Sequence, residues 1–263
     1  MENKKVVIVM TYFERPHQLR QTLKSIAHTA YKNFEVVIVD DGSVQPPVNE
    51  FSNFPVTILT TERKCWTNPE PAYNIGLYFA MLQKPDVIIL QNAECYHAGD
   101  VISAAAQVEA GRYISFGCYS IDKATTFSEH LIEPIITANN RGASADGQNA
   151  WYNHPLYRPV GYDFCSAISA RDMLDLNGYD ERLSDGCGYG DDYLLQRIKM
   201  LGIKVEITAP PLPFVVHQWH YDCAVPVDKA ARVERNRLLY LELLKYNNPR
   251  AQHKYTQNLC DCS

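Results

Sequence analysis

KVVIVMTYFERPHQLRQTLKSI (residues 5–26), followed by YKNFEVVIVDDGS (31–43), decides the fold. The first piece is a short β-branched run that gives way at Pro16 to apolar Leu19, Leu23 and Ile26 at helical spacing. The second is another apolar run, ending in two acids and a glycine. Together they read as strand, helix, strand. The alternation continues outward with PVTILT (55–60), a helix over 71–82 and DVIIL (86–90). Each strand is too apolar for a sheet with one wet face, so helices are expected on both sides. The expected class is α/β, with a Rossmann-like, mostly parallel central sheet flanked by helices over about the first 120 residues. Ligands of such sheets bind outside the C-terminal ends of the strands. Thr11 and Tyr12, Asp40 and Asp41, and Asn92 and Glu94 all follow or end strands, and are expected to face one crevice.

A chain of 263 residues with 46% apolar composition can bury the core of one large α/β unit. The formal net charge is −5 and the pI near 5.9. That balance argues against duplex nucleic acid or an anionic membrane as the main partner, because either favours a basic patch. No run approaches the roughly eighteen apolar residues of a spanning helix, and MENKK (1–5) leads straight into a strand rather than a signal-peptide core. A cytoplasmic location is expected, with the oligomeric state left open. Cysteines at 65, 95, 118, 165, 187, 223, 260 and 262 form no C-x-x-C pair and no zinc-knuckle spacing, and are expected to be free thiols.

From about residue 119 to 149 the pattern lapses into a polar stretch containing NNRGASADGQN, which reads either as a lid or as a disordered connector. Order is expected to return with a strand at FCSAISA (164–170), a helix over 189–201, runs at 203–207 and 213–217, and an amphipathic helix over 227–246. That last helix intersperses Arg232, Arg235 and Arg237 with Leu238, Leu239, Leu241 and Leu244. Packing on the core, dimerisation and peripheral membrane contact are all open to it.

The turn after the first strand, MTYFERPHQL, contains no glycine. A dinucleotide dehydrogenase would show G-x-G-x-x-G there, a P-loop enzyme a glycine-rich turn with lysine, and a sugar nucleotidyltransferase a glycine-rich loop. Instead stand Thr11, Tyr12, Phe13, Glu14 and Arg15, whose hydroxyl, aromatic and guanidinium groups suit a base and a phosphate, or else a helix cap and a surface arginine. Asp40-Asp41-Gly42-Ser43 puts a carboxylate at a strand end, where it can accept the N–H groups of a base; it also reads as an Asp-Gly turn with a capping serine.

These segments resemble the family-2 glycosyltransferases of the GT-A fold, inverting enzymes that use nucleotide-activated sugars. PAYNIGL (71–77) resembles the family's A-R-N-x-G-L helix start, and GYDERL (178–183) with GDDYLLQRIKMLG (190–202) resembles its acceptor-side segments. The likeness runs from about Val6 to His220. It implies a single GT-A domain over 1–246, with a nucleotide-sugar half (about 1–118), an acceptor-side half (about 119–222), the helix at 227–246 and a tail at 247–263. Thr11, Tyr12, Glu14, Arg15, Asp40, Asp41, Lys64, Asn74, Gln91 and Asn92 are thereby expected along the donor, and Arg63 near it. One departure is plain: Tyr73 stands where A-R-N has arginine.

The family's Asp-x-Asp, which ligates Mn²⁺ or Mg²⁺ on the diphosphate, is replaced here by Asn92-Ala93-Glu94. Glu94 remains a hard oxygen ligand, and Asn92 a weaker one able to hold a metal-bound water. In VVHQWHY (215–221) His217 is the first candidate to complete the metal shell and His220 the second; a hydrogen-bonded core histidine is the alternative for each.

Transfer by inversion needs one base to take the acceptor's hydroxyl proton, and a carboxylate suits it. Asp191 aligns best with the family's catalytic aspartate, leaving Asp192 to orient acceptor or base; helix N-capping fits either. AWYNHPLYRPVGYDFCSA (150–167) gathers Trp151, His154 and Arg158, which could stack on and bind a sugar or form a small core under the long loop. Asp180 and Glu181 could bind sugar hydroxyls or cap a turn. The expected activity is transfer of a sugar from a nucleoside diphosphate sugar, UDP-sugar favoured, to a glycan or glycolipid hydroxyl. A sugar-nucleotide-binding protein without turnover and, further off, a nucleotidyltransferase are the alternatives.

Overall fold

The structure is a computed structural model that describes residues 3–48, 50, 53–128, 143, 148–221 and 227–257. Most of the polar stretch read as lid or connector, and Cys223, Cys260 and Cys262, lie outside the described residues. In chain order the elements are β1 (Val6–Tyr12), α1 (Pro16–Ile26), β2 (Phe34–Asp40), β3 (Val56–Thr60), α2 (Glu70–Leu82), β4 (Val87–Asn92), β5 (Cys95–Ala98), α3 (Val101–Ala105) and β6 (Arg112–Ser115). They continue with β7 (Cys118–Ser120), α4 (Lys123–Thr126), β8 (Ala150–Asn153), β9 (Cys165–Ser169), α5 (Ala170–Leu176), α6 (Gly190–Met200), β10 (Lys204–Ile207), β11 (Phe214–His217) and α7 (Lys229–Leu243).

The main sheet has the order β10-β6-β9-β4-β1-β2-β3, with only β9 antiparallel to its neighbours. Val6 to Met10 and Val87 to Leu90 have no exposed surface. Burial on both faces explains why these strands lack the in-out alternation of a half-wet sheet, and each such side chain contributes about 1.5–3 kcal/mol. On one face α2 packs against β1 and β2. Gly76 permits that approach, because a Cβ there would lie 2.6 Å from Val9 Cγ1. On the other face α1 buries Leu19, Leu23 and Ile26, and its Ser25 hydroxyl accepts the N–H of His97 in β5 at 2.9 Å.

A second sheet, β5-β11-β7-β8, stands beside the first. Its function is positional. The register pairs His217 with Cys95, next to Glu94, and the Gln218 N–H donates to the Glu94 carbonyl at 3.1 Å. The Gln218 amide also donates to the Gln18 and Glu94 carbonyls, pinning the 217–220 strap to α1. Two short elements, β7 and α4, occupy the start of the stretch expected to be irregular. The five described cysteines are free thiols.

At the C-terminus, α7 packs Leu239, Tyr240 and Leu243, with Leu244 just after it, against Leu183 and Tyr193, while Leu238 and Leu241 stay exposed. Residues 254–256 beyond it are tied down. Buried Glu181 accepts N–H groups from Lys254, Tyr255 and Thr256 at 2.7, 2.6 and 3.1 Å. No helix among the described residues is long and apolar enough to cross a membrane.

Candidate functional site

β1 lies between β2 and β4; the chain steps from β1 to β2 and β3 on one side and then crosses by α2 to β4 on the other, so a crevice opens at the strand ends. A cavity of about 320 Å³ occupies it, within the size range of small-molecule sites. Thr11, Tyr12, Phe13 and Arg15 line it from the exit of β1, Asp41, Lys64 and Thr67 from the loops beyond β2 and β3, and Asn92, Glu94, His217 and His220 from the far side. A second cavity of about 210 Å³ adjoins it, shares Pro69 and Asn92, and carries Glu70, Tyr73, Asp163 and Asp191.

At the floor of the first cavity Glu94, 1% exposed, is the hub. Arg15 Nη1 meets its Oε2 at 2.6 Å, while His217 Nε2 and His220 Nε2 meet Oε1 at 3.2 and 3.7 Å. Burial alone would raise the Glu94 pKa, but the Arg15 charge, helped by the two histidines, outweighs it and holds the carboxyl well below the usual range. Burial lowers His220, favouring a neutral imidazole. One atom each from Glu94, His217 and His220 fall within 4.8 Å of one another. An anionic oxygen with two imidazole nitrogens is a sound donor set for a divalent transition ion, and suits Mg²⁺ less well, since that ion prefers oxygen.

Asp40, expected to face the crevice, is fully buried and lines neither cavity; its Oδ1 accepts the Ser43 N–H at 3.0 Å, and its Oδ2 meets no hydrogen-bond partner among the described residues. Asp41 pairs with Lys64. Burial raises Asp41 even so, with Lys64 pulling the other way. Lys64 Nζ also sits 5.2 Å over the Phe13 ring. Gly42, at φ +75°, lets the 40–43 turn lie against the Arg63–Lys64 backbone, where a Cβ would come 2.5 Å from Lys64 N. The Tyr12 hydroxyl donates to the Gln45 carbonyl at 2.9 Å. Glu14 is not brought into the cleft; its carboxylate accepts the N–H of Val44 and ties down that loop.

Asn92 turns its Oδ1 to the Tyr73 hydroxyl at 2.9 Å. Two other residues expected along the donor are used internally. Asn74 donates to the Tyr179 carbonyl and Glu181 and accepts the Tyr179 N–H, stapling α2 to the 178–181 turn. Gln91, with no exposed surface, bonds His97 and the Cys95 carbonyl.

Asp191 is exposed in the second cavity. Desolvation by the walls of the cleft, reinforced by the charges of Asp163, Glu70 and Asp192, raises its pKa above the usual carboxylate range. Asp192 accepts the Tyr162 hydroxyl at 2.7 Å. Glu70 is 3% exposed, and burial pushes it up to about 8. Asp163, which accepts the Tyr179 hydroxyl, is also raised by burial. Glu70, Asp163 and the Tyr73–Asn92 bond were not anticipated from sequence. An acid between two prolines at a helix start, N-P-E-P, was the only available signal for Glu70.

The remaining acceptor-side candidates serve the framework. Trp151 packs with Tyr119, His154 and Phe214 in a small core. His154 Nδ1 accepts the N–H groups of Leu156 and Tyr157, and Arg158 donates to the Tyr152 carbonyl. Asp180 pairs with Arg182 at 2.7 Å and Glu181 holds the C-terminal segment. None of these five lines either cavity.

The sequence profile described as Glycosyl transferase family 2 matches residues 6–165. The chain belongs to glycosyl transferase family 2. Among solved structures, S. aureus TarS residues 1–349 in complex with UDP is similar at 10% identity and TM-score 0.63, over 95% of this chain and 67% of that one. The same TarS fragment in complex with UDP-GlcNAc has 11% identity and TM-score 0.57, over 89% and 66%. The mannosyltransferase PcManGT of Pyrobaculum calidifontis, in complex with GDP-Man and Mn²⁺, has 16% identity and TM-score 0.53, over 90% and 62%. This glycosyltransferase thus spans about two thirds or less of those chains, and its fold is theirs, the GT-A fold. No curated protein sequence matched it.

Proposed function

We propose that this glycosyltransferase works by inversion, moving a sugar from a nucleoside diphosphate sugar, UDP-sugar favoured, to a hydroxyl of a glycan or glycolipid. The observation that carries the reading is the junction of two cavities at Asn92 and Pro69, with Glu94, His217 and His220 in one and Asp191 in the other. A donor with its diphosphate in the first presents its anomeric carbon toward the second.

Glu94, His217 and His220 would hold a divalent cation, which supplies neutralisation of the leaving diphosphate's charge. Arg15 and Lys64 line the same cavity and bring positive charge to the phosphates. Asp41 lines the cavity at the base end, where its unpartnered Oδ1 is suited to an N–H of the base, with buried Asp40 beside it in the chain. Asp191 takes the acceptor hydroxyl proton as that oxygen attacks the anomeric carbon. The bond from that carbon to the diphosphate oxygen breaks, its electron pair leaves with the diphosphate, and configuration inverts. The raised pKa makes Asp191 a stronger base than an ordinary aspartate.

Asp191→Asn tests the base. Transfer should fall about 10²–10⁴-fold while the donor dissociation constant stays unchanged. Undiminished turnover would remove Asp191 from this role.

A further inference from the structure

A relay fixes which end of the Asn92 amide meets the cleft. The Tyr73 phenol O–H, with one proton to give, donates to Asn92 Oδ1 at 2.9 Å. Tyr73 is buried and stacked on Tyr179 with centroids 4.7 Å apart, so this donor cannot swing away. Tyr179 is held in turn by Asp163. With Oδ1 turned to the phenol, the amide leaves its NH₂, a pair of donors, for a ligand. A donor N–H does not ligate a cation.

Asn92 and Pro69 are the residues common to both cavities, and Pro69 has no N–H to offer. A sugar running from a diphosphate near Glu94 to an anomeric carbon within reach of Asp191 crosses this junction. The nucleotide base, at the Asp40–Asp41 end, does not.

We propose that Asn92 is a specificity-determining residue that donates a hydrogen bond to an oxygen of the donor sugar, and that it is not a ligand of the metal. The proposal rests on the donor reading above and refines it. The protein ligands of the cation reduce to Glu94, His217 and His220, and Tyr73, in the place of the family's arginine, acquires the task of orienting the amide.

Calorimetric titration of the wild type, Asn92→Ala and Tyr73→Phe tests this, using UDP against UDP-N-acetylglucosamine and GDP against GDP-mannose with Mn²⁺ present, and Mn²⁺ against the nucleotide-saturated protein. Asn92→Ala should weaken the sugar nucleotide about five- to tenfold, the share of one hydrogen bond, and leave the bare diphosphate and Mn²⁺ within about twofold. Tyr73→Phe, which frees the amide to rotate, should show a smaller loss of the same kind. Equal weakening of diphosphate and sugar nucleotide, weaker Mn²⁺ binding, or no change in either variant would overturn the proposal and leave the donor reading standing. If Asn92→Ala loses its circular-dichroism signature of folding, Tyr73→Phe decides by the same criteria. A wild type that binds none of the four nucleotides would overturn the donor reading itself, and this proposal with it.

Discussion

Asp191 sits among Asp163, Glu70 and Asp192, and its protonation carries a prediction about rate. A base must be deprotonated to act, so turnover should fall on the acid side at a pH above the ordinary carboxylate range. Asp163→Asn removes one of the like charges and should move that limb to lower pH in a pH–rate profile; an unmoved limb would assign the titration elsewhere. Glu70 predicts a stability effect of definite sign. Its folded pKa is about 8 against an ordinary 4.5, so the native state holds a proton that the unfolded chain has released between those values. Stability from this group is full below about 4.5 and lost as pH rises through 8. Glu70→Gln should therefore melt at a higher temperature than the wild type at pH above 8, with the difference shrinking toward acid, as a pair of melting series would show. Gly42 is constrained by both conformation and space: at φ +75°, with a Cβ landing 2.5 Å from Lys64 N, Gly42→Ala should cost about 1–3 kcal/mol in urea unfolding and weaken donor binding.

At the scale of elements, α6 carries Asp191 at its start and is anchored by Arg197, whose side chain is 1% exposed and donates to the Leu176 and Gly178 carbonyls at 3.0 and 2.9 Å. Arg197→Met keeps the bulk and removes both bonds. It should destabilise by about 2–4 kcal/mol, because two buried carbonyls lose their donor, and denaturant titration would measure it. The strands that build the cleft were legible because β1, β2 and β4 are unbroken apolar runs ending in polar residues, and that same position marked Asp41, Asn92 and Glu94. Of the second sheet only β11 was legible, in the run at 213–217. Its strands are three or four residues long and gain their stability from partners distant in sequence, β5 with β11 for example, so no local period announces their pairing. For the same reason the sequence left Trp151, His154 and Arg158 open between a sugar platform and a small core; Phe214 and Tyr119, from distant strands, pack on Trp151. Asn74 and Gln91 sit at motif positions, but their amides are consumed by neighbours that sequence cannot display.

Across the whole molecule, the C-terminal part acts as a brace on the cleft. Asn236 in α7 donates to the Leu183 and Gly188 carbonyls at 2.8 Å each, Arg232 reaches Thr67 and the Asp185 carbonyl, and Tyr255 packs on Trp66. These contacts join the loop around residue 67, which lines the first cavity, to the segment that leads into Asp191. Ending the chain at residue 246 would strip Glu181 of its N–H partners from Lys254, Tyr255 and Thr256. It should lower the melting temperature and reduce turnover more than donor affinity, which thermal scans and steady-state kinetics would separate. The proposed reaction depends on a donor diphosphate held through a cation at Glu94, His217 and His220. Thermal stability against UDP-, GDP- and dTDP-sugars, with and without Mn²⁺, should be measured for the wild type and Glu94→Gln. One nucleotide series should raise the wild-type melting temperature by several degrees, as expected near a hundredfold excess over Kd, only with Mn²⁺ present, and Glu94→Gln should abolish the shift. An equal shift without Mn²⁺, or one that survives Glu94→Gln, would contradict that dependence.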